Sequence, residues 1–257
     1  MNRIILEENE CAPQGGRVVF HGDDRRTGHI RNVLKAGPGD TLRIGRLNGL
    51  AGSATIVSDD ESGIVLDARL DEPAPEPWLD LILAMPRPKV MHRLWADLAT
   101  VGFARIFIVN AAKVEKYYFD SHWLNEATWK PLLVEGLEQA GATRLPEVQI
   151  RRALRPFVED EIPSLYPNSA KWIAHPRIHD APPCTIPSPH GAHPVVAVGP
   201  EGGWTDFEIA LFFKAGFQPL SLGDRAFRSD TACIALAGAL AAIYGPQQPS
   251  PEVAGNR

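Results

Sequence analysis

Short apolar runs divided by turn residues make up the first 70 positions of the chain. Each run is four to six residues long, and the runs occupy 17–20, 41–44, 53–57 and 63–68. Turn residues stand between them, notably Gly-Pro-Gly-Asp at 37–40. A helix is also predicted over 25–35, because Ile30, Val33 and Leu34 share one of its faces. This spacing of short strands and turns predicts a small antiparallel β barrel.

Apolar strands alternate with helical stretches in the rest of the chain. Strands are predicted at 79–85, 106–109, 171–174, 195–198 and 219–222. Helices are predicted at 90–101, 123–141, 205–215 and 230–244. Apolar strands that alternate with helices are typical of a parallel sheet covered on both faces, so the predicted fold class is α/β.

A change of composition separates the two patterns. Residues 71–77 contain three prolines and three acids, which is typical of a stiff, extended linker. We therefore expect an N-terminal β-barrel domain at 1–72 and an α/β domain at 78–245. The segment 246–257, which follows the glycine that ends the last predicted helix, is expected to be a disordered tail.

Composition places the chain among ordinary globular proteins, with 44% hydrophobic and 22% charged residues over 257 positions. The three cysteines, Cys11, Cys184 and Cys233, are far apart and odd in number, which argues against a disulfide scaffold. Acidic residues follow the first apolar run at once, so it is not a signal peptide. The longest apolar stretch, 232–244, is too short to span a bilayer. We expect a soluble, cytoplasmic protein without a membrane partner.

The net charge of −5 argues against a wholly basic nucleic-acid binder, but the charge is unevenly distributed. Residues 17–46 contain seven lysines and arginines against three aspartates, a local charge of +4. Such a cluster is either a solvated face or a phosphate-binding surface, and the residues alone leave both interpretations open.

One cluster has the spacing of a metal site. Its members fall within 19 residues: His175, His179, Cys184, His190 and His193. The segment is interrupted by prolines and has no identifiable supporting ligand partner, so we interpret it as a polar loop and predict no metal. Walker, dinucleotide-binding, nucleophile-elbow and zinc-protease motifs are absent from the sequence.

The most informative segment spans 195–240, where two apolar strands each end in a glycine-containing loop before a helix. The first loop is Gly-Pro-Glu-Gly-Gly at 199–203 and the second is Leu-Gly-Asp-Arg at 222–225. Thr205 and Glu208 fit a capping box at the start of the helix after the first loop. Ligands of open α/β sheets bind at the carboxyl ends of the strands, and glycine lets the backbone approach them closely. We therefore predict a ligand site here.

This segment resembles the C-terminal motif of the RsmE-type small-subunit ribosomal RNA uridine N3-methyltransferases, which belong to the SPOUT superfamily. That motif reads approximately G-P-E-G-G-[FW]-[ST]-x-x-E and then L-G-x-R-I-L-R-x-E-T-A. Matching residues are Gly199, Pro200, Glu201, Gly202, Gly203, Trp204, Thr205, Glu208, Leu222, Gly223, Arg225, Arg228, Thr231 and Ala232. Further matches to the family are His29, Val33, Leu34, Gly39, Asp40, Glu138, Gln139, Arg144 and Pro146.

The chain departs from the family pattern at four positions. Asp230 replaces the usual glutamate of the second motif, and Lys113 replaces an arginine after the second α/β strand. Asp97 and Thr100 stand where a lysine and a glutamate are usual. We expect RNA contacts or local ion pairing to differ at these positions.

The resemblance implies a SPOUT α/β trefoil-knot domain that follows a PUA-like barrel. It implies S-adenosylmethionine as cofactor, a homodimer formed through the knot helices, and methylation of uridine N3 in small-subunit ribosomal RNA, within the assembled subunit. The alternatives are a SPOUT methyltransferase with another RNA site and an inactive RNA-binding knot protein.

Site residues follow from the same resemblance. Cofactor-binding residues are expected to be Ala174, His175, Pro176, Gly199, Pro200, Glu201, Gly202, Gly203, Leu222, Gly223, Arg225, Phe227, Thr231 and Ala232. Arg228 is expected to stabilise the uracil anion, or else to brace the loop by pairing with Asp230 or Glu201. Either of those two carboxylates is a candidate general base. RNA-binding residues are expected to be Arg17, Arg25, Arg26, Arg31, Lys35, Arg87, Lys89 and Arg93.

Overall fold

The N-terminal region forms a five-stranded sheet in a computed structural model that describes residues 2–175 and 193–245. Its strands are β1 (Ile4–Leu6), β2 (Gly15–His21), β3 (Thr41–Arg46), β4 (Ala51–Asp60) and β5 (Gly63–Glu72). The order is β1-β3-β4-β5-β2, and every pairing is antiparallel except that of β1 with β3. Because β1 and β2 are the two edges, the predicted barrel is an open half-barrel.

Alternating burial explains why this sheet has an interior. Along β2, Val18 and Phe20 are buried while Val19 between them is exposed, as expected for a strand with one solvated face. The predicted helix over 25–35 is present as α1 (Arg25–His29) and a π-helical turn (Ile30–Leu34). Only part of its expected apolar face is buried, because Ile30 closes the interior whereas Val33 and Leu34 are exposed.

The second region is built on a six-stranded sheet in which all pairings are parallel. Its strands are β6 (Leu79–Ala84), β7 (Phe103–Val109), β8 (Glu147–Arg151), β9 (Lys171–Ala174), β10 (Val195–Val198) and β11 (Gln218–Leu220). The order is β11-β9-β10-β6-β7-β8. The α/β fold class is therefore confirmed, although β1 and β8 were not predicted.

Seven α-helices lie within the described residues. They are α1 and then α2 (Pro88–Val101), α3 (Glu126–Ala140), α4 (Leu154–Pro156), α5 (Ile162–Leu165), α6 (Asp206–Lys214) and α7 (Ser229–Tyr244). Helix α2 packs against α3 and α7. A side-chain Cβ at Gly136 would lie 2.1 Å from the Ala96 carbonyl oxygen, so the close crossing of α3 and α2 requires glycine.

Strand order brings the chemically rich loops to one edge of the sheet. Strand β10 lies between β6 and β9, although β9 precedes it in the chain, and β11 pairs with β9. The chain therefore doubles back twice across this end, in the region where the family resemblance implies a knot. The carboxyl ends of β9, β10 and β11 consequently meet at one place.

The two sheets have separate apolar cores that touch at specific points. Ile5 and Leu47 come from the N-terminal region but pack in the α/β core. Arg25 forms two hydrogen bonds, of 3.1 and 2.7 Å, with the buried carboxylate of Glu138 on α3. The division into folding units at 1–72 and 78–245 stays a prediction, and the predicted tail at 246–257 lies outside the described residues.

None of the helices in residues 2–175 and 193–245 combines the length and the apolar character that a bilayer span requires. The most apolar of them, α7, is 16 residues long.

Candidate cofactor and RNA site

A cavity of about 320 Å³ lies at the carboxyl ends of β9, β10 and β11. We call it the strand-end cavity; its walls are the loops 199–204 and 222–229, and Leu236 of α7 contributes to its floor. The volume is within the range of pockets that hold small ligands. The cavity also has the expected position for a ligand of a parallel sheet.

Most residues predicted to bind the cofactor meet in this cavity. Twelve of the fourteen line it: Ala174, His175, Gly199, Pro200, Glu201, Gly202, Gly203, Leu222, Gly223, Arg225, Phe227 and Ala232. Thr231 is exposed and is not among the lining residues, while Pro176 lies outside the described residues. The prediction of their role stays a prediction, but their convergence is a finding.

Gly199 leaves room for an aromatic wall that sequence reasoning did not assign to the site. A Cβ at this position would lie 3.0 Å from Nε1 of Trp204, whose side chain is buried and packs against Phe212. Within the described part of the chain, the indole N–H finds no hydrogen-bond acceptor. A buried donor without a partner is costly, so the cavity wall offers a donor that suits an incoming polar ligand.

The loop after β7 is fastened to the glycine loop by Lys113. Its Nζ donates a hydrogen bond of 2.8 Å to the Gly202 carbonyl oxygen. The side-chain stem lies so close that a Cβ at Gly202 would be 3.0 Å from Cδ of Lys113. The family's usual arginine is thus replaced here by a lysine that contacts the glycine loop directly.

Glu208 forms hydrogen bonds that connect the same two loops. The predicted capping box is confirmed, because Oγ1 of Thr205 accepts a 3.3 Å hydrogen bond from the Glu208 N–H and Oε2 of Glu208 accepts one of 2.8 Å from the Thr205 N–H. In addition, Oε1 accepts a hydrogen bond of 2.8 Å from the backbone N–H of Ala112. One buried carboxylate therefore caps α6 and fixes the loop after β7, a second role that the local motif did not reveal.

Of the three predicted catalytic residues, Glu201 lines the cavity, whereas Arg228 and Asp230 are not lining residues but flank Ser229, which is. Nε of Arg228, which is exposed, is 3.5 Å from Oδ1 of Asp230, so the bracing contact considered for this arginine is present. Asp230 also lies 3.6 Å from Nη2 of Arg93. Glu201 is exposed and accepts a 3.1 Å hydrogen bond from the backbone N–H of Arg87.

Comparison with known proteins identifies the family of the chain. Residues 73–241 match the model of a family described as the RNA methyltransferase domain. The chain belongs to this RNA methyltransferase family. The resemblance found in the sequence is confirmed.

Relatives extend the match over nearly the whole methyltransferase. The chain is 30% identical to the ribosomal RNA small subunit methyltransferase E of Treponema pallidum (strain Nichols), over 94% of this chain and 91% of that protein. It is 27% identical to the ribosomal RNA small subunit methyltransferase E 1 of Borreliella burgdorferi, over 91% and 95% of the two chains. The crystal structure of a ribosomal RNA small subunit methyltransferase E from Neisseria gonorrhoeae bound to S-adenosyl methionine superposes with a TM-score of 0.72 and 26% identity, covering 94% and 97%.

Two departures from the family pattern acquire a structural account in this methyltransferase. Burial and the nearby charge of Asp230 raise the pKa of the Asp97 carboxyl, against the opposing effect of Arg93. Thr100 donates hydrogen bonds to the carbonyl oxygens of Ala96, at 2.9 Å, and Gly136, at 3.2 Å. Thr100 thus supports the α2–α3 crossing, while Asp97 places a second carboxyl near Asp230.

Three of the predicted RNA-binding arginines form ion pairs with carboxylates of the protein. Arg25 pairs with Glu138, and Arg31 pairs with Asp59 at 2.6 Å. Arg26 pairs with Glu10 and Asp24, and its guanidinium stacks 4.0 Å from the Phe20 ring centroid. Burial alone would lower the pKa of Arg26, but hydrogen bonds to the two carboxylates raise it. These contacts stabilise the half-barrel and its position on α3.

Other cations of the half-barrel converge on a second cavity of about 480 Å³, which we call the barrel pocket. Lys35, Arg43 and Arg3 line it together with Asp40. Arg3 donates a 2.8 Å hydrogen bond to the Ile44 carbonyl oxygen, and within the described residues its buried Nε has no partner. Sequence reasoning missed Arg3, which lies 14 positions before the start of the cluster at Arg17.

The remaining predicted RNA-binding residues lie on exposed surfaces. Arg17 is exposed on β2, while Arg87 and Lys89 are exposed at the start of α2, close to the strand-end cavity through the contact of Arg87 with Glu201. Arg93 is exposed one turn further along α2.

Residues 2–175 and 193–245 hold no group of three or more His, Cys, Asp or Glu side chains placed to bind a metal ion. His179, Cys184 and His190, which have the suggestive spacing, lie outside the described residues.

Proposed function

We propose that the protein is an S-adenosylmethionine-dependent methyltransferase that methylates N3 of a uridine in small-subunit ribosomal RNA. The observation that carries the proposal is the convergence of twelve predicted residues on one cavity at the strand ends. Relatives named as small-subunit ribosomal RNA methyltransferases align over more than nine-tenths of the chain, and a similar structure is bound to S-adenosyl methionine.

The residues present fit this cofactor. Val198, Leu220 and Leu236 supply an apolar floor for the cavity, and the backbone of 199–203 supplies polar groups at its wall. The indole N–H of Trp204, a residue that lines the cavity, has no acceptor within the described residues and can donate to a polar group of the ligand. When bound, the cofactor supplies the methyl group that becomes attached to the uracil nitrogen.

Uracil N3 must lose its proton before it can accept a methyl group, and this gives two roles to protein residues. A fixed guanidinium stabilises the anion that develops over O2, N3 and O4, and Arg228, which directly precedes the lining residue Ser229, is our candidate. Asp230 and Glu201 are candidates for the group that accepts the N3 proton. Asp230 lies between Arg228 and Arg93, which fixes its position, whereas Glu201 is held by the N–H of Arg87.

The RNA surface of the half-barrel is proposed to be centred on the barrel pocket. Lys35 and Arg43 form no ion pair within the described residues, so their charges are free to contact phosphates. Arg25, Arg26 and Arg31 contribute to this surface chiefly by fixing its shape, since each is already paired with a carboxylate. Arg87 and Lys89 extend the basic surface to the cavity.

A homodimer through α7 is also proposed. This helix leaves Ile234, Gly238, Ala241 and Ala242 exposed on one face, which is an unusual surface for an isolated helix. We further propose a cytoplasmic location, because ribosomal RNA is the substrate and both described cysteines, Cys11 and Cys233, are free thiols.

A second candidate is methylation of a different RNA position. The observation that favours it is the carboxyl of Asp97 near Asp230, at a position where the family pattern described above has a lysine. An inactive RNA-binding knot protein is a third candidate, and cofactor affinity separates it from the other two.

Isothermal titration calorimetry with S-adenosylmethionine, followed by methylation of isolated small subunits with radiolabelled cofactor, tests the proposal. We expect micromolar binding and incorporation of the label as N3-methyluridine. Absence of binding would exclude both enzyme candidates, and label at another nucleoside would favour the second candidate.

A further inference from the structure

A separate cavity of about 280 Å³ lies on the same edge of the parallel sheet. We call it the β7–α6 pocket; it is lined by Asn110 and Ala112 after β7, by Arg152 and Arg155 after β8, and by Thr205 and Phe207 at the start of α6. Glu208 belongs to its wall and holds the loop that carries Lys113, a residue of the strand-end cavity. The two cavities are therefore neighbours that share one fixed partition.

Phe207 is the most unusual residue of this pocket. It is the second residue of α6, and 63% of its surface is exposed, whereas Leu211 and Phe212 of the same helix are buried. A ring that is exposed over most of its surface gains little from the hydrophobic effect in the isolated protein. It does offer a flat face on which an unstacked nucleobase can lie.

Arg152 supplies a positioned cation that lines the same pocket. Its Nη2 donates a 3.1 Å hydrogen bond to the Phe119 carbonyl oxygen, and its guanidinium carbon lies 5.4 Å from the Phe119 ring centroid. Arg152 forms no ion pair with any carboxylate in the part of the chain that the structure describes. The guanidinium is thus oriented by the protein but keeps donors free for a phosphate.

We propose that the β7–α6 pocket binds a nucleotide that flanks the target uridine, with its base stacked on Phe207 and its phosphate held by Arg152. The inference rests on the proposed function. RNA-modifying sites act on bases taken out of their stack, so the strand around the target must be held unstacked at the edge of the site. The pocket is next to the cofactor cavity on that edge and combines an aromatic platform with an unpaired cation.

Two substitutions at Phe207 distinguish base stacking from simple apolar contact. Phe207→Leu keeps an apolar side chain but removes the aromatic face, and Phe207→Trp keeps the face. Base stacking on one aromatic side chain is worth enough that we expect KM for small subunits lacking the modification to rise about tenfold in Phe207→Leu. We expect Phe207→Trp to match the wild type and all three proteins to bind S-adenosylmethionine equally.

The phosphate contact is tested by the salt dependence of RNA affinity. In Arg152→Ala, the slope of log affinity against log salt concentration should decrease in magnitude by about 0.7, the value for one contact to single-stranded RNA. Arg69→Ala is the matched control, because it removes an exposed arginine of the half-barrel that pairs with Asp71. We expect the control to keep the wild-type slope.

Two results would overturn the inference: an unchanged KM in Phe207→Leu, or an equal loss in Phe207→Leu and Phe207→Trp. An unchanged salt slope in Arg152→Ala would show that Arg152 does not contact a phosphate of the RNA. Failure of the wild-type protein to form N3-methyluridine would instead overturn the proposed function. Direct binding of the same variants to small subunits then still decides whether the pocket holds RNA.

Discussion

The two ends of the parallel sheet hold their polar side chains in opposite states. At the amino end, the fully buried carboxylate of Asp80 accepts hydrogen bonds from N and Nε of Arg105, at 3.0 and 2.8 Å, and from the Tyr166 hydroxyl, at 2.8 Å. Burial, with the charge of Asp80, raises the pKa of the Tyr166 hydroxyl far above its usual value. This end is a closed network that holds strands β6 and β7 and the segment before β9 together.

At the carboxyl end, charged and aromatic side chains are open to solvent. The Arg228 side chain is 73% exposed, Glu201 is exposed, and Phe207 presents its ring to solvent. The amino-end network is formed by Asp80 of β6, Arg105 of β7 and Tyr166, whereas the exposed groups of the carboxyl end lie on loops and at the start of α6. This difference teaches that the polar groups of one end stabilise the fold, whereas those of the other end are available to a ligand.

The largest expected effect is on stability and comes from the amino end. Asp80→Ala leaves Arg105 and the Tyr166 hydroxyl without their partner, and breaking a buried pair of this kind costs about 3–5 kcal/mol of the free energy of unfolding. We expect the melting temperature to fall by about 10 °C. Differential scanning calorimetry measures it, with Asp71→Ala, which removes an exposed ion pair with Arg69, as the control. A fall of similar size in the control would contradict the contrast between the two ends.

At the carboxyl end, we expect a substitution to reduce activity and to leave stability unchanged. Arg228→Ala should lower kcat about 100-fold, because the uracil anion loses its fixed guanidinium, while cofactor affinity and the urea midpoint of unfolding stay unchanged. Single-turnover methylation of small subunits measures the loss, with Arg69→Ala as a matched exposed arginine. If activity is retained, Arg228 only braces Asp230.

Loss of the hydrogen bond that holds the glycine loop is expected to have an intermediate effect, which falls on cofactor affinity. Lys113→Met removes the hydrogen bond to the Gly202 carbonyl oxygen, which we expect to weaken S-adenosylmethionine binding about fivefold. Lys113→Arg, the residue usual in the family, should restore affinity, whereas Lys116→Met, three positions along, should have no effect. Calorimetric Kd values at one temperature measure all three, and equal Kd values for wild type and Lys113→Met would contradict the role of this contact.

The smallest effect concerns pH. The pKa of Asp97 is raised in the folded protein by burial and by Asp230, so the folded state binds the proton more tightly than the unfolded state does. The free energy of unfolding therefore falls as pH rises from the unfolded pKa of Asp97 to its higher folded pKa, and it stays lowered above that range. We expect Asp97→Asn to raise the melting temperature by about 1 °C at pH 7 and not at pH 3. A gain of equal size at both pH values would show that the charge of Asp97 is not the cause.

Much of the sheet was predictable because its buried strands have continuous apolar sequences. Strands β9 and β10 begin and end at the predicted residues, since they lie at the centre of the sheet with both faces covered. Strand β8 was missed because it is an edge strand with a mixed pattern, and β1 because it has only three residues. The parallel pairing of β1 with β3, which leaves the half-barrel open, depends on contacts that local patterns do not contain.

The site was predictable where it lies in one continuous segment. The loops 199–203 and 222–225 were found from the sequence, because glycine loops at strand ends indicate a ligand site and the family motif covers both. The contacts of Glu208 with Ala112 and of Lys113 with Gly202 span 96 and 89 positions, so only the fold reveals them. For Arg26, the sequence shows the charge that suggested RNA binding. It does not show the two carboxylates with which Arg26 pairs in the fold.

The most direct test of the central claim, that the carboxyl end of the sheet is the methyl-transfer site, is nucleoside mass spectrometry of small-subunit ribosomal RNA. The RNA would come from a deletion strain complemented with the wild-type protein, with Arg228→Ala or with Arg69→Ala. We predict that N3-methyluridine is absent in the deletion strain, returns with the wild type and with Arg69→Ala, and stays absent with Arg228→Ala. An unchanged level of N3-methyluridine in the deletion strain would contradict the account.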